Sequence, residues 1–266
     1  MSFAVETLVA EFERKNAHLV GVTDAMLAGF VADRGLHARF MNTLAMLEHM
    51  GSHKIMATQA GPGIDLPTLK HLAEETRHAF FFKRHANREA GREMQNTAGD
   101  LLAPLAARRY FQRLEAEMVR AFPFGTHPRA IYLTMSMVVE FRAVWGYRLY
   151  QAALTRVGSI ISLKSLLAEE AGHLTDMASR LEELGEFDLL RLRHFCATET
   201  QHYAQMLAAL SIVLPNSEEQ PISGDSHFSE IKNLRKLWED GKASGAPRPF
   251  DIERIISNAQ ARSYLG

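Results

Sequence analysis

Leu72-Ala73-Glu74-Glu75-Thr76-Arg77-His78 returns ninety-five positions later as Leu167-Ala168-Glu169-Glu170-Ala171-Gly172-His173. Five of the seven positions are identical, and each copy sets a glutamate three residues before a histidine. On an α-helix that spacing puts carboxylate and imidazole on one face, about 4.5 Å apart along the axis. About one Glu-x-x-His match is expected by chance in a chain with 12 histidines. This chain has three, the third being Glu199-Thr200-Gln201-His202. Glutamate with histidine suits a transition-metal ion. The bland alternative is a repeated, exposed, charged turn, and the flanking residues decide between the two.

Those flanks carry apolar residues at helical spacing. The first copy lies in a segment at 66–91 with the stripe Leu72, Glu75, His78, Ala79 and Phe82. The second lies at 160–184, among Leu163, Leu166, Leu174 and Met177. Two more segments carry one glutamate each inside an apolar stripe. At 36–58 it is Glu48, between Ala45 and Ser52; at 128–155 it is Glu140, between Met137 and Ala143. A fifth segment, 186–213, holds Glu199 and His202 with Phe195, Cys196, Tyr203 and Met206. Asp65 with Pro67, Pro104, Pro128 and Gly185 supply start and stop signals. Further helices are expected at 1–16, at 104–122, and over a short stretch capped by Thr23 or Asp24 and ended by Gly35. No stretch alternates long enough to be a strand, so the fold class is all-α. Residues 1–35 are expected to pack on a helical bundle at 36–214. A Pro-, Ser- and Gly-rich linker from 215 leads into a helical extension reaching 266.

Composition narrows the function classes. A net charge of −1 gives no global field for nucleic acid or an anionic membrane. No run of eighteen apolar residues and no N-terminal signal pattern appear, so a cytoplasmic protein is expected. The single cysteine, Cys196, rules out an intrachain disulfide or an iron–sulfur cluster held by this chain alone. It reads as a small buried hydrophobe.

Glu48, Glu75, Glu140 and Glu170 therefore all sit in apolar stripes. A buried carboxylate costs several kcal/mol unless paired or metal-bound, and four together raise one another's pKa values. Basic partners on these stripes are few, His78 and His173 being the clear ones. Two divalent cations would balance four carboxylates, which points to a dinuclear site. Gaps of 27 residues (Glu48 to Glu75) and 30 (Glu140 to Glu170) each suit a helical hairpin, and 65 residues between Glu75 and Glu140 suit a long crossover.

This order resembles the ferritin-like di-iron-carboxylate superfamily over roughly 36–184. Glu74-Glu75-Thr76-Arg77-His78 also looks like the acid-Glu-x-Arg-His signature of its oxygenase and desaturase branches. The resemblance implies a ferritin-like four-helix bundle and two iron ions cycling between Fe2+ and Fe3+, with manganese as the substitute. It makes Glu48 and Glu140 terminal ligands, Glu75 and Glu170 bridges, and His78 and His173 one ligand for each ion. Glu74, Glu169 and Asp176 are candidates to support the ligands from behind, and Tyr147 to approach from the Glu140 face. In the ribonucleotide reductase small subunit a radical-bearing tyrosine lies four residues after the first ligand histidine. Phe82 stands there in this sequence, which puts such a radical in doubt.

A rival assignment replaces Glu140 and His173 with Glu199 and His202. The first assignment is preferred because it keeps the duplicated frame. His49 and His53 read as surface residues, and His71 and His85 as groups near the ends of the site. The expected activity is that of an O2-activating non-heme di-iron oxidase or oxygenase. Its substrate would be a small, largely apolar molecule in a pocket lined by Phe82, Met137, Val144 and Met177, with an external electron donor. Apolar helix faces suggest a homodimer. The alternatives are a ferroxidase or metal-storage protein and a non-catalytic interaction module.

Overall fold

Residues 3–59 and 63–212 of the computed structural model are described, and they form eight α-helices with no strand among them. In chain order these are α1 (Phe3–Lys15), α2 (Ala17–Ala32), α3 (Arg34–Gln59), α4 (Leu66–Ala90), α5 (Pro104–Ala121), α6 (Pro128–Arg156), α7 (Lys164–Glu183) and α8 (Leu189–Ser211). The protein is an all-α helical bundle. None of the described helices is long and apolar enough to cross a membrane.

Local chemistry sets the helix ends. The Asp65 carboxylate accepts from Thr68 N at 2.8 Å to start α4, with Pro67 in the first turn and Gly91 left-handed at the other end. Asp188 caps α8 by accepting from Leu190 N and Arg191 N. Four boundaries differ from the sequence expectation. α2 begins at Ala17, so Thr23 and Asp24 are mid-helix; the break falls at Asn16, whose amide donates to Phe12 O at 2.9 Å. Gly35 does not end a helix but lies in the first turn of α3, where Asp33 accepts from Leu36 N. Residues 160–163 stay outside α7, held where Leu163 N donates to Gln151 Oε1. α8 starts at Leu189, past the expected 186, because Asp188 is the available cap.

α3 and α4 fold back on each other along their length, as do α6 and α7. α3 also touches α6, and α4 touches α7, closing four helices around one interior. The connection from α4 to α6 contains α5, which packs mainly on α8. α1 and α2 share the bundle's core rather than standing apart: Phe12 stacks on Phe141, and Phe30 packs on Phe40. Large side chains that are fully buried, such as Phe82, Met137 and Tyr150, each contribute about 1.5–3 kcal/mol. The expected linker and helical extension from 215 lie outside the described residues.

Candidate metal centre

Each of the four inner helices delivers one carboxylate to the same place: Glu48 from α3, Glu75 from α4, Glu140 from α6 and Glu170 from α7. Their donor atoms form two groups with the histidines. His71, Glu75, Glu140 and His173 make one, and Glu48, Glu75, His78 and Glu170 the other; within each, the donor atoms lie within 4.8 Å of one another. Glu75 belongs to both. Glu170 also spans them, with Oε1 3.1 Å from His78 Nδ1 and Oε2 2.9 Å from His173 Nδ1. None of the seven side chains is more than 9% exposed.

His71, placed near the end of the site from the sequence but not named as a ligand, belongs to the first group. It sits one turn before Glu75 on the same stripe, which is the signal that would have found it. The second copy of the frame carries Leu166 at the matching position, so the duplication itself gave no hint.

The electrostatics follow from packing four acids together in a dry interior. Burial, then the charges of Glu75 and Glu170, push Glu48 well above the usual carboxylate range. Burial and Glu140 also raise Glu170. Glu140 is the exception: burial and Glu75 oppose its charge, but hydrogen bonds from His173 and His71 bring it down to about 2. The imidazoles mirror this. Burial disfavours their charge, yet the facing carboxylates prevail, raising His71 and His78 to about 9 and His173 to about 12.

Each histidine turns one nitrogen to the carboxylates and has the other fixed from behind. His78 Nε2 bonds Glu169 on α7 at 2.8 Å, and His173 Nε2 bonds Glu74 on α4 at 2.9 Å. The two copies of the frame thus brace each other crosswise, and Arg77 joins them by hydrogen-bonding Glu169. His71 Nδ1 meets the Tyr132 hydroxyl at 2.6 Å, and the Tyr147 hydroxyl donates to Glu48. Such outer partners fix tautomer and ring orientation at metal sites. Asp176 does not join them; it is exposed and faces Arg180 at 3.6 Å, in line with the exposed Gly172 one turn earlier on α7.

Fit to two divalent ions can be judged from these residues alone. Glu75 Oε1 and His78 Nδ1 are buried without a hydrogen-bond partner, although His78 Nδ1 approaches Glu170 to 3.1 Å. Orphaned buried donors and acceptors are uncommon in proteins; Thr23, Arg39, Arg142 and His202 carry the others among the described residues, so the donor set decides the fit. Those of Glu75 and His78 point into a cluster of four carboxylates and three imidazoles, a donor set suited to iron or manganese. The residues fit.

Glu199 and His202 lie elsewhere. Arg142 donates to both Glu199 oxygens at 2.8 Å, and the Tyr110 hydroxyl donates to Oε1 at 2.8 Å. His202 Nε2 is 3.2 Å from Glu117. The rival assignment therefore does not assemble. His49 and His53 are exposed, and the His85 ring lies against Phe81.

Two cavities reach the carboxylates, of about 330 Å³ and about 160 Å³. Both are bordered by Gly51, Glu75, Phe111, Val139 and Glu140. The larger runs between α3, α5 and α6; the smaller lies toward α2 and α8. Neither is lined by Phe82, Met137, Val144 or Met177, which correct the pocket expectation by filling the solid core at 0–3% exposure. The reason is tertiary: α5 stands off from α3 and α6, leaving the larger space on that side. Gly51 helps keep this space open, since a Cβ there would sit 3.4 Å from Glu75 Oε2.

No protein-family model, curated protein or solved structure matches the chain, so the candidate site is defined by its own geometry.

Proposed function

We propose that this protein is an O2-activating non-heme di-iron oxidase or oxygenase acting on a small, largely apolar organic molecule. One observation carries the reading: seven buried side chains form two four-residue donor groups that share Glu75. The resemblance to the ferritin-like di-iron-carboxylate superfamily supports it, and the same donors would suit manganese. Two such ions, when bound, would supply O2 binding and reduction, with electrons from an external donor or from the substrate.

The chain's own groups have definable roles. His71 and His173 would serve one ion and His78 the other, with Glu140 and Glu48 as the separate carboxylates. Glu75 and Glu170 would span the pair. Glu74, Glu169 and Tyr132 hold the far ring nitrogens, so that the near ones present lone pairs to the ions. The Tyr147 hydroxyl holds its proton against Glu48. The apolar walls of the larger cavity exclude water from the Glu75–Glu140 edge and admit an organic molecule there. That cavity favours an organic substrate over simple iron storage.

The test begins with anaerobic Fe(II) loading, expected to give two ions per chain. Rapid mixing with O2 should then produce a transient visible absorption band. Glu75→Ala, checked for folding by circular dichroism, should lose both ions and band. Iron at background level in the parent protein would sink the proposal. Oxidation of excess Fe(II) without turnover of any organic substrate would leave a ferroxidase.

A further inference from the structure

The larger cavity changes character along its length. Its inner end meets His71, Glu75 and Glu140, and its walls are apolar, with Ile55, Leu114 and Met118 almost fully buried. Its outer rim is polar: Lys54 and Glu115 border it, with side chains 47% and 37% exposed, and pair with each other across α3 and α5. Lys54 is the sole lysine or arginine among the described residues lining the cavity.

We propose that this cavity binds an elongated amphiphile carrying one carboxylate, held head-out by Lys54 with its hydrocarbon end at the Glu75–Glu140 edge. At ~30 Å³ per water-sized group, 330 Å³ holds about eleven non-hydrogen atoms. A single polar head suits the one polar rim, and the apolar tail suits the walls. The exchange at the rim is cheap. An exposed ion pair is worth about 0–1 kcal/mol, so a ligand carboxylate replaces Glu115 on Lys54 while Glu115 turns to water. The partners already in place set the direction: Glu75 and Glu140 are engaged by His71 and His173 at the deep end, so the one cation open to a ligand carboxylate is Lys54 at the rim. That the inner end is a reaction centre rests on the proposed function; the binding itself does not.

Isothermal titration of the full chain as purified, with metal content measured alongside, tests this using decanoate, 1-decanol and decylamine. Decanoate is expected to bind about fivefold more tightly than decanol. Lys54→Gln should erase that preference. Glu115→Gln, which frees Lys54, should strengthen decanoate by about twofold or more and leave decanol unchanged. Met135→Trp, on the cavity wall, should abolish binding of both. The opposite signs of the two rim variants separate recognition from structure, because a merely structural pair would make both weaken binding alike. Like-signed effects, equal binding of acid and alcohol, a preference for the amine, or no binding at all would each overturn the proposal. Decanoate binding without bound iron would remove only the proposed function; two bound ions without decanoate binding would remove only this site.

Discussion

Three Glu-x-x-His motifs fold into two different environments. Glu75 and Glu170 meet only other acids and imidazoles, whereas Glu199 meets the guanidinium of Arg142. Around the second site the Glu199 carboxylate is satisfied from within the chain, although Arg142 Nη1 and both His202 ring nitrogens have no hydrogen-bond partner. Arg142 grips both carboxylate oxygens, donates to Asn16 Oδ1 at 2.6 Å, and stacks against Phe12, Trp145 and Tyr203, the last with its ring centre 3.9 Å away. Around the first, the acids are offset only by imidazoles held in charged form, a charge that can be lost as a proton where the Arg142 guanidinium keeps its own. The same local spacing thus makes a structural ion pair where the chain supplies its own permanent cation. Where it supplies only titratable imidazoles, it gathers acids and histidines into the cluster on which the proposed metal site rests. The difference lies in what faces the motif, and not in the motif.

The largest expected break in this contrast is Arg142→Met. It leaves Glu199 buried without a partner and should cost about 3–5 kcal/mol in a denaturant titration, with the iron stoichiometry of the folded protein unchanged. Glu75→Gln should do the reverse, removing bound iron while changing the stability of the metal-free protein far less than Arg142→Met does, because Glu75 faces both like charge on Glu140 and charged imidazoles. Equal destabilisation by both would erase the distinction.

Next in size are the crosswise braces. Glu169→Gln and Glu74→Gln should each weaken metal affinity by about 10–100-fold, measured by competition with a chelator. A fall no larger than that of a surface control would mean that the braces do not orient the ligands.

A smaller effect comes from pH. In the metal-free protein His71, His78 and His173 are raised to about 9, 9 and 12, so at pH 7 they carry protons that a metal ion must displace. Affinity should therefore rise with pH, by about tenfold per unit for each imidazole proton released, and fall away toward pH 6. Titration calorimetry in buffers of different ionisation enthalpy counts those protons directly. The smallest effect is expected from His202→Gln. It should leave metal content intact and alter stability by no more than about 1 kcal/mol.

Much of the fold was legible because its signals are local. The Asp65–Pro67 start of α4, the apolar stripes and the hairpin gaps are properties of neighbouring residues, and the helices appear where these place them. The break at Asn16 was expected, but the immediate restart at Ala17 was not, because the Asn16 side chain bonds back to Phe12 O and leaves no loop before α2. The duplicated frame together with Glu48 and Glu140 named six of the seven clustered side chains. His71 was placed near the end of the site but not among the ligands; its stripe position brought it that far, and its membership came from Tyr132 and Glu140 of α6 meeting it, sixty or more residues along the chain.

The sequence by itself determined that this is a helical protein with four carboxylates and two histidines on inward faces, since periodicity and charge scarcity are written along the chain. Only the tertiary structure decided which Glu-x-x-His motif would lack a permanent counter-cation, that His71 joins the cluster, and that open space lies against α5 rather than beside Phe82 and Met137. Those outcomes depend on which helix faces which. Long-range packing sets that, and no local spacing encodes it.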